Sequence, residues 1–249
     1  MHRFLVASDV LQSGTAVFDR AAARHLQTVL RVKSGERIEF FDGLGHTRQF
    51  LVDDVQRSGM SFSAAGEPVF HAAAKCRLIL CVSLIKRMDW VIEKATEIGA
   101  AEIRPVETAR SVVRISPSDA AAKADRWLKI AEEALRQCGG AWMPRINPPV
   151  PFGDALAGLR DSRGPVFVGA LAGETRPMLD ALDEFCGAAE ASLFIGPEGD
   201  FSPEELEQTI SLPNVRPVSL GDRVLRAETA CAYGLSLLSA RYLQPECWS

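Results

Sequence analysis

Three groups of residues combine side chains and turns suited to chemistry. The first is "IGPEGDFSPEEL", residues 195–206, which follows the apolar run "ASLF". Gly196-Pro197-Glu198-Gly199 reads as a turn at a strand end. Ser202-Pro203-Glu204-Glu205 reads as a helix start: a capping serine, proline at the first helical position, and a carboxylate that can return the cap. A glycine-bracketed turn ahead of a helix often holds a phosphate, because free amides and the helix dipole point at it. Here Glu204, Glu205 and Glu207 load that terminus with negative charge. No Lys-Ser/Thr follows the turn, and the third glycine of a dinucleotide fingerprint is missing. The stretch is not a nucleoside-triphosphate motif. Its glycines suit close backbone approach to an uncharged or zwitterionic molecule, and a tight turn without ligand is the alternative.

The second group is "LGDRVLRAETACAYGLSLL", residues 220–238. Leu220-Gly221 ends a strand, a loop carries Arg223, Leu225 and Arg226, and a helix begins near Glu228-Thr229. Two arginines between a strand end and a helix start suit a carboxylate, a phosphate or a developing anion, unless one pairs with a neighbouring glutamate. Ligands of open α/β sheets lie beyond the carboxyl ends of the strands, and both groups fall at such ends. The third group is basic: Arg24, His25 and Arg31 near the first helix, then Lys86-Arg87, Arg110 and Arg114 after later strands. It reads either as a solvated face or as a phosphate-tracking rim that accepts RNA.

The elements that must position these groups follow two patterns. Residues 1–72 are β-rich. "ERIEFFDGLGHTRQFLVDDV" alternates around a glycine turn, "MSFSAAGEPVF" adds a short strand, and one helix is expected at "DRAAARHLQTVL". Alternation stops within 66–76. From residue 73 to 249, strands alternate with helices. "RLILCVSLI" is a run expected of a strand buried on both faces. In "MDWVIEKATEIGA", Met88, Val91, Ile92, Ala95 and Ile98 recur at helical spacing before Gly99. "AEIRPV" is a strand, and 118–138 is an amphipathic helix with Ser118 as its expected N-cap. "GPVFVGAL", "ASLFIG" and "VRPVSLG" are three more strands. The expected organisation is a small β domain over 1–72 and an α/β domain over 73–249, with a mostly parallel sheet covered on both faces.

Totals narrow the classes further. The 249 residues carry a net charge of −4, distributed unevenly: residues 76–145 hold 12 Lys/Arg against 9 Asp/Glu, whereas 146–249 hold 7 against 15. Local basic clusters therefore matter more than the acidic total. Six scattered cysteines without a C-x-x-C pair fit thiols in a reducing compartment, not a disulfide framework or zinc site. All four histidines lie in the first third, which disfavours a Ser–His–Asp centre or a metal site in the remainder. No run is long enough to span a bilayer and "MHRFLVASDV" lacks a signal-peptide pattern, so a cytoplasmic location without membrane or metal is expected.

"FIGPEGDFSPEEL", followed some twenty residues later by "LGDRVLRAETA", resembles the signature of the SPOUT class of S-adenosylmethionine-dependent RNA methyltransferases. More closely, the chain resembles the family that methylates N3 of a uridine in small-subunit (16S) ribosomal RNA. "HLQTVLRVKSGERIEFFDG", "KRMDWVIEKATEIGAAEIRPVETARSV" and "WLKIAEEALRQCGG" extend the likeness over nearly the whole chain. The resemblance implies a PUA-like β-barrel, then an α/β domain closed by a trefoil knot, working as a homodimer on 16S rRNA or the assembled small subunit. It implies S-adenosylmethionine walls at Leu171 and Gly173; at Ile195, Gly196 and Gly199; and at Leu220, Gly221, Leu225, Ala227 and Thr229. Arg226 is the expected stabilising cation and Glu198 the expected proton acceptor. RNA contacts are expected at Arg3, Arg24, His25, Arg31, Lys86, Arg87, Arg110 and Arg114. Two positions depart from the family pattern: Asp200 stands where a glycine is usual, and Gly140 where an arginine is usual.

Overall fold

The computed structural model describes residues 1–21, 23, 32–171, 173–185 and 187–243. By internal contacts the chain divides into two units. The first is Met1–Ala73 with Leu135–Met143, and the second is Ala74–Ala134 with Pro144–Ser249.

In the first unit the strands are β1 (His2–Leu5), β2 (Thr15–Asp19), β3 (Arg37–Phe41), β4 (His46–Gln56), β5 (Gly59–Ala64) and β6 (Val69–Phe70). They form one sheet in the order β1-β3-β4-β5-β2, with β6 against β4. β3 and β4 are the antiparallel pair expected around the glycine turn, with Arg37 opposite Leu51 and Phe41 opposite Thr47. Alternation puts Ile38, Phe40, Phe50, Val52 and Phe62 into one core. Phe40 sits at its centre, with ring centroids 4.7 Å from Phe50, 5.2 Å from Phe62 and 5.5 Å from Phe18. The helix expected at "DRAAARHLQTVL" lies largely outside the described residues.

The second unit contains β7 (Arg77–Ser83), β8 (Glu102–Glu107), β9 (Arg145–Ile146), β10 (Val150–Pro151), β11 (Val166–Gly169), β12 (Arg176–Pro177), β13 (Glu190–Ile195) and β14 (Val215–Ser219). They make one sheet, β10-β8-β7-β13-β11-β14-β12 with β9 on β8, and every pairing is parallel. Both faces are covered, as the continuous apolar strands require. Ile79, Cys81, Val168 and Phe194 belong to one core cluster with Leu159 and Phe201. Leu193, the alternate residue of β13, lies against Gly234 of the Ala227–Tyr242 helix. The Met88–Ile98 helix ends as expected at Gly99, in a left-handed conformation whose amide bonds back to Ala95 and Thr96.

The long helix runs Pro117–Cys138, so Ser118 is not its N-cap. Pro117 occupies the first helical position, where its missing amide costs nothing, and Ser116 stands ahead of it, its hydroxyl 2.7 Å from the Asp119 carboxylate. Burial pushes the Cys81 thiol up to about 12 and Cys231 higher still, so neither is a thiolate at neutral pH.

Candidate ligand cleft at the carboxyl edge of the sheet

β13, β11 and β14 are neighbours, and the loops leaving their carboxyl ends enclose a cleft of about 280 Å3. Gly169, Ala170 and Leu171 come from the end of β11 and Ile195–Glu198 with Asp200 from the end of β13. Val218–Gly221 and Arg223–Ala227 come from the end of β14, and Ala230 of the following helix also lines the cleft. Three consecutive sheet positions thus deliver three loops to one point, where open parallel sheets bind ligands.

Two helices start at this cleft, and their N-termini differ. The Pro203–Ile210 helix is closed by its own side chains. Ser202 Oγ accepts from the Glu205 amide at 3.2 Å, while Glu205 Oε2 accepts from the Ser202 amide at 3.0 Å. Hydrogen bonds from its own amide and from Ser202 hold the Glu204 carboxyl below its usual range. The capping box and the Glu204 carboxylate thus occupy the amide and the positive dipole end that a phosphate would use. By contrast, the Ala227–Tyr242 helix has Arg226 at its N-cap in extended conformation, with no side-chain cap. Its amides and dipole remain available to an anion. Glu228 in the first turn is paired with Arg87, 3.4 Å away. The Arg226 side chain is exposed, lines the cleft and has no partner among the described residues.

The β13 loop is held tightly. Asp200 donates its amide to Pro197 O at 2.9 Å, closing the turn. A side chain at Gly196 would come within 3.1 Å of the Phe201 ring and 3.3 Å of its amide, so anything larger than glycine requires Phe201 to shift by a few tenths of an ångström. Gly221 has φ +122°, a conformation side-chain-bearing residues avoid. Asp200 has φ 59°, a left-handed conformation that favours glycine, and its Oδ1 accepts from the Phe201 amide at 2.9 Å.

Of the residues expected to hold a cofactor, Leu171, Ile195, Gly196, Leu220, Gly221, Leu225 and Ala227 line the cleft, as do Glu198 and Arg226. Gly173, Gly199 and Thr229 stand outside the lining; Gly199 lies against the stem of Arg110. Gly169, Ala170, Val218, Ser219, Val224 and Ala230 also line it, and none is among the expected site residues. Their types are unremarkable in sequence, and only strand adjacency brings them in.

The basic set disperses. Arg24, His25 and Arg31 lie outside the described residues. Arg3 is nearly buried: it bonds Glu39 at 2.5 Å and the carbonyls of Leu135 and Gly140 at 3.0 Å, and stacks over Phe41. Arg110 donates to Gly199 O and Phe201 O, and Arg114 to Glu107 and Ala109 O. Lys86 is exposed and has no partner among the described residues.

A wider cleft of about 720 Å3 lies around Arg77, Glu102, Arg104 and Glu190, which sit at the amino ends of β7, β8 and β13. Its central charges satisfy one another: Glu102 accepts from Arg77, Arg104 and Asn147, and Arg77 also reaches Glu190. Among the described residues, no group of three or more His, Cys, Asp or Glu is placed to hold a metal, and no helix is long and apolar enough to cross a membrane.

These features define an α/β protein with a ligand cleft at the carboxyl edge of a parallel sheet. The chain matches the RNA methyltransferase domain family over residues 72–239 and the RNA methyltransferase PUA domain family over 18–59. It belongs to the RNA methyltransferase family, with a PUA domain at its N-terminus. The chain is similar to the Ribosomal RNA small subunit methyltransferase E of Synechocystis sp. (28% identity, 96% of this chain and 77% of that protein). It is similar also to the enzyme of the same name from Bacillus subtilis (27%, 86% of each). Among solved structures, it is similar to the Neisseria gonorrhoeae Ribosomal RNA small subunit methyltransferase E bound to S-adenosyl methionine (TM-score 0.83, 26% identity, 96% and 97% coverage).

Proposed function

We propose that this RNA methyltransferase uses S-adenosylmethionine to methylate N3 of a specific uridine in 16S ribosomal RNA of the small subunit. The observation that carries the reading is the contrast at the cleft: one helix N-terminus closed by its own capping box, the other open beneath Arg226, which has no partner among the described residues. The cleft's chemistry fits the cofactor. Its walls are apolar (Leu171, Ile195, Val218, Leu220, Leu225), and charges of both signs stand among its lining, Glu198 and Asp200 against Arg223 and Arg226. That combination suits a compact molecule with an apolar body, a carboxylate and positive centres. At about 280 Å3 the space is small for an extended dinucleotide. The protein of known structure bound to S-adenosyl methionine shares this fold along nearly its whole length.

Bound S-adenosylmethionine supplies an electrophilic methyl group on a sulfonium that is already a good leaving group. The chain's own work is positioning and electrostatics. Uracil N3 carries a proton, which must leave for the nitrogen lone pair to attack. The resulting uracilate charge is stabilised by the guanidinium of Arg226 and by the open helix N-terminus at Ala227. Glu198, exposed at the turn, accepts the proton directly or through water. N3 is a pairing atom, so the target base is unpaired or flipped out. The PUA domain and Lys86, with Arg24, His25 and Arg31, grip the surrounding RNA, and affinity falls as salt rises. The domain limits 1–72 and 73–249, the knotted loops, the homodimer and a cytoplasmic site of action belong to the same proposal.

The test is transfer of labelled methyl from S-adenosylmethionine to small ribosomal subunits lacking the mark, with light scattering for the oligomeric state. Transfer to the subunit by a dimer is expected. Cofactor binding without transfer to any small-subunit RNA contradicts the substrate assignment.

A further inference from the structure

Asp200 is the one residue besides glycine with a positive φ among the described residues, and it lines the cleft. A side-chain-bearing residue holds the left-handed conformation only when its surroundings over-determine it. The contacts that do so are visible. A single nitrogen of Arg110, Nη1, donates to Gly199 O at 3.0 Å and to Phe201 O at 3.2 Å, the two carbonyls that flank Asp200. The segment carrying Arg110 is itself anchored: the Ala109 amide donates to Glu205 Oε1 at 2.7 Å, and Glu205 caps the helix that follows the turn. The Phe201 ring packs 4.7 Å from Phe194 and closes over Gly196.

We infer that Arg110 is a positioning residue, which bridges the carbonyls on either side of Asp200 and so holds the Gly196–Phe201 loop in its ligand-binding shape. It is not an RNA contact, although sequence alone groups it with the basic rim. The inference rests on the cofactor reading above for its functional meaning, but its structural core does not. The loop following β8 becomes part of the cofactor site without lining it. Because one nitrogen makes both contacts, a lysine ammonium serves nearly as well as the guanidinium, and an uncharged side chain does not.

The test uses the full-length protein without RNA. S-adenosylmethionine is titrated calorimetrically into the wild type, Arg110→Ala, Arg110→Lys, Asp200→Gly and the Arg110→Ala/Asp200→Gly double variant. Hydrogen exchange at the Gly199, Asp200 and Phe201 amides is followed in the ligand-free state, and small-subunit binding is measured separately. Arg110→Ala is expected to weaken the cofactor roughly tenfold, the scale of losing a charge-assisted hydrogen-bond pair. Exchange at the three amides should rise, and subunit binding should stay unchanged. Arg110→Lys should retain most of the affinity. In the Asp200→Gly background the Arg110→Ala loss should shrink, because glycine needs no help to stay left-handed. Unchanged cofactor affinity and exchange with weakened subunit binding would overturn the inference and make Arg110 an RNA contact. An equal loss in both backgrounds would also overturn it, since the arginine would then not act through Asp200. A wild type that fails to bind S-adenosylmethionine would refute the cofactor reading, and the exchange data would still decide whether Arg110 holds the turn.

Discussion

Arg226 and Arg3 are both arginines in a basic set, and they show how far side-chain type underdetermines role. Arg3 is spent inside its own unit on Glu39 and two carbonyls, whereas Arg226 is left open at an uncapped helix start beside the cleft. Arg226→Ala is therefore expected to lower kcat by about a hundredfold or more, as removal of a preorganised donor to a developing anion does. Arg226→Lys should keep part of the rate. Steady-state kinetics paired with cofactor titration checks this: the loss must fall on kcat, with cofactor affinity changing much less. Asp200→Gly relieves a left-handed side chain and should raise stability by roughly 1 kcal/mol. Thermal unfolding reads that gain. Neither the open state of Arg226 nor the φ of Asp200 can be seen in sequence, because both depend on neighbours far away in the chain. The departure of Asp200 from glycine is legible, and the structure shows how aspartate is tolerated there: its Oδ1 accepts from the Phe201 amide at 2.9 Å.

The elements were the most legible level. Ser202-Pro203-Glu204-Glu205 spells a capping box, and both reciprocal hydrogen bonds are present. Ser202→Ala should cost about 1 kcal/mol, read as a drop in unfolding midpoint. Alternation around "DGLG" places Phe40 inward, and the ring stacks on Phe18 and meets Phe4, Phe50 and Phe62 edge-on or tilted. Phe40→Ala should destabilise the first unit by about 3–5 kcal/mol, measurable by denaturant unfolding. The start of the long helix at Pro117, not after Ser118, shows where local signals mislead: several serines compete for one cap, and the proline decides. Strand order was not legible. β13 inserts between β7 and β11 although more than a hundred residues separate it from β7, and short-range periodicity carries no information about pairing partners. That insertion is what brings the β11, β13 and β14 loops together.

At the scale of the molecule, the two edges of the parallel sheet divide the labour. The amino-edge cleft has its central charges tied into ion pairs on Glu102, whereas Arg226 in the smaller carboxyl-edge cleft has no partner among the described residues. Burial alone would raise the Glu102 carboxyl. Hydrogen bonds from Arg104 and Asn147, with the charges of Arg104 and Arg145, outweigh it and hold the group below its ordinary value of 4.5. A carboxyl lowered in the native state contributes stability that is complete above its unfolded value and lost as pH falls through the lowered native one. Unfolding temperature should therefore decline as pH drops below about 4.5, and Glu102→Gln should flatten that decline while lowering stability at neutral pH. A titration of unfolding temperature between acid and neutral pH reads both effects. The return of Leu135–Met143 to the first unit is another whole-molecule feature without a sequence signal, although it includes Gly140, whose carbonyl accepts from Arg3.

In the proposed reaction the open helix start under Arg226 stabilises a uracil anion during methyl transfer in small-subunit RNA. The most direct measurement incubates the protein with S-adenosylmethionine and small ribosomal subunits lacking the mark, then maps new methyl groups by nuclease digestion and mass spectrometry. The predicted result is a single N3-methyluridine in 16S RNA that disappears with Arg226→Ala. Methylation at a ribose or another base, or an N3 mark undiminished in Arg226→Ala, would contradict the account.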